Sequence, residues 1–287
     1  MAIERVGERA LIRQVRVLAR RTRHEIGEAG LRLDDFQGIA DQYGITLHRG
    51  RLAGNQSGCY DKDTRTIVLD PRVTSPERLH FSFCHELMHD RIEQDDDLLS
   101  RLADAYIRSD DDTMERLCNE GAAELLMPSE DVQEMVLVYG FSTATIPALC
   151  QRYHASSLAV AIQMAATASH QCYLVIAAPR YVRQEDSPPM LVDVKATQAQ
   201  PRLVMLYTVA SPSAKYAIKR GRLVPTDHLM YEAWQRGDET INGRANIPFA
   251  SGKPWAVPCD AMYFRGYVFA FFHASDPASL DQMRLFE

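Results

Sequence analysis

The spacing of apolar positions divides the chain into segments of different character. Over residues 1–45, Val6, Ile12, Val15, Val17 and Leu18 lie scattered among Arg and Glu, a pattern that predicts a helix. Leu33–Tyr43 predicts a shorter second helix stopped at Gly44. Ile45–His48, Gly58–Tyr60 and Thr66–Leu69 are brief β-type runs, and the last two flank the polar Asp61-Lys62-Asp63-Thr64. A hairpin closed by Pro71 is predicted there. Ser75-Pro76-Glu77 opens a helix: a hydroxyl to cap free N–H groups, proline at the first helical position, and a carboxylate at the positive end of the dipole. From Ser75 to about Ala168 the pattern stays helical, interrupted at Asp95–Asp97, Asp110–Asp112, Pro128-Ser129, Gly140 and His154–Ser156. From Gln171 onward β-type runs dominate: Cys172–Ala177, Leu203–Val209 and Tyr263–Phe272. One helix, about Asp227–Arg236, ends at Gly237, and Ser187-Pro188-Pro189 reads as a loop. The fold class is α+β, and the change near residue 170 marks the main domain boundary.

Composition narrows the class. With 46% apolar and 24% charged residues over 287 positions, the chain is globular in type. No apolar run approaches the roughly 20 residues needed to span a bilayer. The N-terminal stretch, rich in Arg and without an apolar core, is unlike a secretory signal. Six scattered cysteines with no C-x-x-C make no disulfide framework, and a reducing cytoplasm is the expected location. A net charge of −6 gives no global attraction to nucleic acid. The arginines from Arg5 to Arg23 alternate with Glu4, Glu8 and Glu25, which favours a solvated helix face over a nucleic-acid arm.

Ile146–Tyr153, the turn at His154–Ser156 and Ser157–Ala168 form a helix-turn-helix pattern. Between Ser129 and Ser169, however, Arg152 is the only Lys or Arg. A helix without cations neither neutralises phosphate nor reads guanine, so direct DNA binding is not expected; a buried or partner-facing helix is.

The chemistry lies in His85-Glu86-Leu87-Met88-His89, an H-E-x-x-H motif inside the helix opened at Ser75. Residues four apart share a helix face, so both imidazoles can reach one metal ion while Glu86 stands beside them, able to take a proton from a water that the ion acidifies. Strands directly upstream and an apolar flank of Leu79, Phe81, Phe83, Leu87 and Met88 complete a strand-then-active-helix arrangement typical of zinc peptidases. No G-x-x-H follows His89, so a third ligand must come from elsewhere. The helix running to Met127 offers Glu115, Glu120 and Glu124; at about 100° per residue Glu115 and Glu124 point in opposite directions, and periodicity alone does not choose between them. The aspartate clusters read as helix caps, Cys84 and Cys118 as packing, and His80 as a partly buried, hydrogen-bonded side chain off the ligand line.

The run from Glu115 to Pro128, ERLCNEGAAELLMP, resembles the E-x-x-A-N-x-F-A-A-E-L-L-M-P signature of the ImmA/IrrE metallopeptidase family. Phe81–His89 is similar to that family's F-T-L-A-H-E-[LI]-G-H. Asp95–Tyr106, Ala155–Ser157, Lys215-Tyr216, Val224–His228 and Ile247–Gly252 resemble, more narrowly, its radiation-response members. Three positions depart from the pattern: Cys84 for Ala, Met88 for Gly between the histidines, and Gly121 for Phe. Met88 is the departure expected to narrow the space near the metal.

The resemblance implies that Glu115 is the third ligand beside His85 and His89, with Glu86 as catalytic base and Zn²⁺, or Mn²⁺, as the ion. It also implies a zincin-like peptidase domain over residues 1–128, a helix-turn-helix-like region over 129–170 and a GAF-like sensor domain over 171–287. The implied substrate is a helix-turn-helix repressor of the DdrO kind, whose cleavage derepresses DNA-damage-response genes. Two other classes fit the residues: a transcriptional activator that binds DNA or polymerase around a structural metal, and a scaffold with a vestigial site.

Overall fold

The computed structural model describes residues 2–105, 111–181, 201–249 and 254–274. Tyr106, Asp110, Ser187–Pro189 and Ala250–Gly252, all singled out above, lie outside the described residues. The chain divides into two compact units, Met1–Asp131 with Leu149–Ser156, and Val132–Ala148 with Ser157–Glu287.

The first unit opens with helix α1 (Ala2–Glu28) and helix α2 (Phe36–Tyr43), the latter capped by Gly44 in the left-handed conformation. A three-stranded sheet follows: β1 (Thr46–Arg49), β2 (Gly58–Asp61) and β3 (Thr66–Leu69). Its order is β1-β3-β2, with β1 parallel and β2 antiparallel to β3. The predicted hairpin is present, and β2 is an edge strand. Helix α3 (Pro76–Glu93) starts as its sequence dictates: the Ser75 side chain accepts from the Arg78 N–H, and Pro76 takes the first turn. Helices α4 (Asp96–Ala105) and α5 (Asp111–Leu126) complete the layer that carries the motif. Asp95 caps α4 by accepting from the Leu98 N–H, so its carboxylate is a cap.

The expected solvated arginine face of helix α1 is corrected in part: Arg16, Arg20 and Arg23 are engaged by α5. Leu11, Val15, Leu18, Ala19 and Ile26 form the buried stripe of α1, and Val17 is left outside. Its arginines grip α5 in register: Arg16 donates to Glu120 at 2.7 Å, Arg20 to Glu124 at 2.7 Å, and Arg23 to the Leu125 carbonyl at 2.6 Å. Partners that advance together in sequence mean that the two helices run side by side in the same direction. The cation at Arg23 also meets the negative end of the α5 dipole. A pattern of Arg and Glu that looks solvated in one helix is here matched by carboxylates on another, information that a single-helix period does not contain.

The motif helix is bolted to the hairpin at its far end. Asp90 is fully buried; Arg65 donates to it from Nε at 2.9 Å and from a terminal nitrogen at 3.1 Å, and the Tyr60 hydroxyl donates at 2.9 Å. Arg65 itself sits at φ +48° at the end of the hairpin turn.

Helix α6 (Ser129–Tyr139) and helix α7 (Ile146–Tyr153) are divided between the two units. The second unit contains helix α8 (Ser157–Thr167), strand β4 (Cys172–Arg180), strand β5 (Arg202–Ala210), helix α9 (Leu229–Arg236) and strands β6 (Ile241–Asn246), β7 (Ala256–Phe264) and β8 (Tyr267–His273). The strands form an antiparallel sheet of order β5-β4-β8-β7-β6. On one face Tyr173, Val175, Val268, Ala270 and Phe272 pack with Met230, Tyr231 and Ala233 of α9. The alternate residues Leu174, Ile176, Phe269 and Phe271 are also fully buried, on the face that α8 covers. The apolar run Tyr263–Phe272, which reads as one strand, is a hairpin broken at Arg265-Gly266, both at positive φ (+48° and +87°). That is the two-residue turn whose twist suits antiparallel strands. The rest of β7 was hidden by Pro258 and Asp260, residues that disfavour a strand reading.

The three departures from the family pattern include a compensating pair. Met88 is fully buried and points at α5, where a Cβ on Gly121 would lie 2.7 Å from the Met88 terminal methyl, 3.0 Å from its Cγ and 3.0 Å from Val15 Cγ1. The expected narrowing at the metal site is therefore corrected: the thioether fills the space that Gly121 vacates between α3, α5 and α1. Gly121→Ala is expected to cost about 1–2 kcal/mol by overpacking. Met88→Ala in the same chain should recover part of that loss, a coupling readable from urea denaturation of the single and double variants.

Candidate metal centre

Helix α3 presents His85 and His89 one turn apart, and α5 brings Glu115 against them. His85 Nε2 lies 3.1 Å from Glu115 Oε2, His89 Nε2 lies 3.4 Å from Glu115 Oε1, and the two Nε2 atoms are 3.2 Å apart. Bonds of ~2.05 Å at tetrahedral angles put ligand atoms about 3.3 Å apart, so this donor set suits one small divalent ion. Among the described residues it is the only converging group of three His, Cys, Asp or Glu side chains.

Each of the two histidines lies against a neighbour. The Asn119 side-chain oxygen, one turn after Glu115, accepts from His85 Nδ1–H at 3.1 Å. That bond fixes the tautomer and leaves Nε2 with its lone pair free. The His89 ring stacks beside Tyr60 of β2, with centroids 6.4 Å apart. Burial lowers the proton affinity of both histidines, which keeps them neutral and able to ligate.

Glu86 is buried between the motif helix and β2. A Cβ on Gly58 would lie 2.7 Å from Glu86 Oε1, so only glycine at this position leaves room for the carboxylate. Burial, followed by the nearby charge of Glu115, pushes the Glu86 pKa up to about 8, opposed by a hydrogen bond from the Tyr60 backbone N–H. A carboxyl group whose proton affinity is raised towards neutrality can both accept and return a proton near physiological pH.

The remaining candidates go elsewhere. Glu124 is fully buried on the opposite side of α5, taking Arg20 at 2.7 Å and the Ser129 N–H at the start of α6 at 3.2 Å. Of the two carboxylates that periodicity left open, Glu124 is occupied by these partners and Glu115 is the one that lies beside the histidines. His80 is buried and donates from Nε2 to the Leu33 carbonyl at 3.0 Å. Cys84 and Cys118 are buried, and burial pushes both thiols up. Sequence reasoning passed over Gly58 and Tyr60; a glycine inside a short strand was the available signal of close backbone approach.

Residues 40–164 match the sequence family described as the IrrE N-terminal-like domain, Peptidase M78. The radiation response metalloprotease IrrE of Deinococcus deserti is 32% identical over 231 residues, covering 80% of this chain and 78% of that protein. The chain belongs to the IrrE-like metallopeptidase family. The radiation response metalloprotease IrrE of Deinococcus radiodurans is 29% identical over 232 residues, 79% of this chain and 68% of that one. In fold, the chain is similar to a Mycobacterium tuberculosis transcriptional regulator, with a TM-score of 0.55 and 13% identity over 91% of this chain and 81% of that chain. Membership of this family implies a divalent metal and a protein substrate. Among the described residues, no helix is long and apolar enough to cross a membrane.

Asn119→Ala is expected to weaken metal binding by roughly 10–100-fold while leaving the fold intact, measured by competition with a chromophoric chelator. Gly58→Ala should behave differently. It displaces Glu86 and not the metal ligands, so the turnover number of peptide cleavage should fall on the order of 100-fold at unchanged metal content.

Proposed function

We propose that this protein is a zinc-dependent endopeptidase that cleaves a helix-turn-helix repressor and thereby releases DNA-damage-response genes. The observation that carries this reading is the convergence of His85, His89 and Glu115 with Glu86 held beside them. The names of the Deinococcus relatives support a role in the radiation response. Two nitrogens and one carboxylate form a donor set that suits Zn²⁺, and Mn²⁺ is the other ion compatible with it.

In this proposal His85, His89 and Glu115 hold the ion. Once bound, it supplies Lewis acidity, polarising a peptide carbonyl and acidifying a water. Glu86 takes the proton of the attacking water and hands it to the departing amine. Its burial against Gly58 keeps the carboxylate in one place for both transfers. Asn119 holds the His85 ring, and the bolt from Asp90 to Arg65 and Tyr60 fixes the C-terminal half of the motif helix against the hairpin. An extended substrate adds to a strand at the edge of a sheet. β3 is central in its sheet, so β2, an edge strand beside Glu86, is the one proposed for pairing with the substrate backbone.

Direct DNA contact is not part of the proposal. The face of α8 that includes Val160, Ala161, Met164 and Ala165 is buried, which supports a structural role for it. For residues 171–287 we propose a GAF-like sensor role, supported by the five-stranded antiparallel sheet covered by helices on both faces.

The test is incubation of purified protein with the candidate repressor, followed by mass measurement of fragments. Two defined fragments are expected with metal present and none after chelation. Glu86→Gln should keep the metal and lose cleavage by a factor of at least about 100. Derepression in cells that survives Glu86→Gln would sink the proteolytic mechanism.

A further inference from the structure

The first unit contains a cavity of about 320 Å³, away from the metal centre, where the ends of several helices meet. Arg23 of α1, His80 of α3, Leu126 of α5, and Arg152 and Tyr153 at the end of α7 all line it, together with His154. His80 is five residues before His85, so its side chain projects about 140° around the helix from the metal ligand.

The charge balance of this cavity runs against that of the chain. The net charge of the chain is −6, yet the lining has three arginines, Arg23, Arg32 and Arg152, and one carboxylate, Asp34. Asp34 is already taken by Arg32, with contacts of 3.0 and 2.9 Å. Arg23 uses one terminal nitrogen on the α5 carbonyls, and neither Arg23 nor Arg152 has a carboxylate partner among the described residues. The neighbouring acid is Asp131, near enough to act on Tyr153 but not paired with either arginine. Tyr153 adds a second sign: it is 7% exposed, and its buried hydroxyl, which lies beside the Arg152 guanidinium, has no acceptor for its O–H. A buried O–H without an acceptor is costly, and a hydrogen-bonding occupant would offset that cost. The arginine fork is suited to planar or tetrahedral oxyanions.

We propose that this cavity is an effector site for a small molecule bearing a carboxylate or phosphate group, held by Arg23 and Arg152. Its volume admits a metabolite, not a polymer. An occupant would touch α3, which carries both histidines, and the C-terminal end of α5, the helix that carries Glu115 near its start. The site is independent of the reaction proposed above and can stand or fall separately.

The experiment is thermal unfolding and calorimetric titration of the metal-loaded full chain with inorganic phosphate and with succinate, at constant ionic strength set by chloride. Saturable stabilisation by at least one of the two is expected, and the one that saturates at lower concentration identifies the preferred headgroup. Arg152→Gln, a change at an exposed side chain, should weaken the apparent Kd at least tenfold. Tyr153→Phe, which removes only the hydroxyl, should weaken it measurably. Glu115→Gln should leave it unchanged, which separates this cavity from anion binding at the metal. Absence of saturation with both anions, indifference to Arg152→Gln, or loss of binding in Glu115→Gln would each overturn the proposal.

Discussion

Three side chains from two helices, each with a polar atom within 3.4 Å of the next, set the constraint that the rest of the peptidase unit serves. The two imidazoles come from one helix and are aligned by its period alone. The carboxylate comes from another helix, so its position depends on how far apart the two helices lie and how each is rotated. Spacing is governed by Met88 against Gly121, a large residue and a missing one at the same contact. An added methyl group at that contact would push α5 away from α3 and take Glu115 with it.

Rotation of α5 is fixed from behind by α1. Glu120 and Glu124, one turn apart, share a face well away from that of Glu115, and a free helix could offer either face to a metal. Arg16 and Arg20 claim Glu120 and Glu124, and Arg23 holds the last carbonyls. Only Glu115 remains to face the histidines. Glu124 is buried and removing its arginine would strand a charge, so this ladder is costly to rearrange. The polar contacts of α1 thus determine which carboxylate the site receives, although α1 contributes no atom to it.

Legibility of the sequence followed the range of the interactions. Local rules recovered α2 with its glycine stop, the β2–β3 hairpin, and the Ser75-Pro76 opening of α3, because each is set by residues a few positions apart. The pair His85 and His89 was legible for the same reason. The carboxylate that joins them was not, since Glu115 and Glu124 differ only in what lies across from them; family resemblance of the Glu115–Pro128 run supplied the expectation of Glu115. The meaning of the arginines in α1 was likewise invisible, because their partners are about a hundred residues away. Gly58 and Met88 illustrate a further limit: one is defined by the carboxylate that occupies its missing side chain, the other by a glycine on a different helix. In the second unit, the Arg265-Gly266 turn was overlooked inside an apolar run because arginine seldom adopts positive φ.

The most direct measurement is the coordination of the ion itself, by anomalous diffraction or X-ray absorption from the metal-loaded protein. The account predicts one ion bound to His85, His89 and Glu115, with a further position open to solvent. An ion held at a different set of residues, or enclosed by four protein ligands with no solvent position, would contradict it.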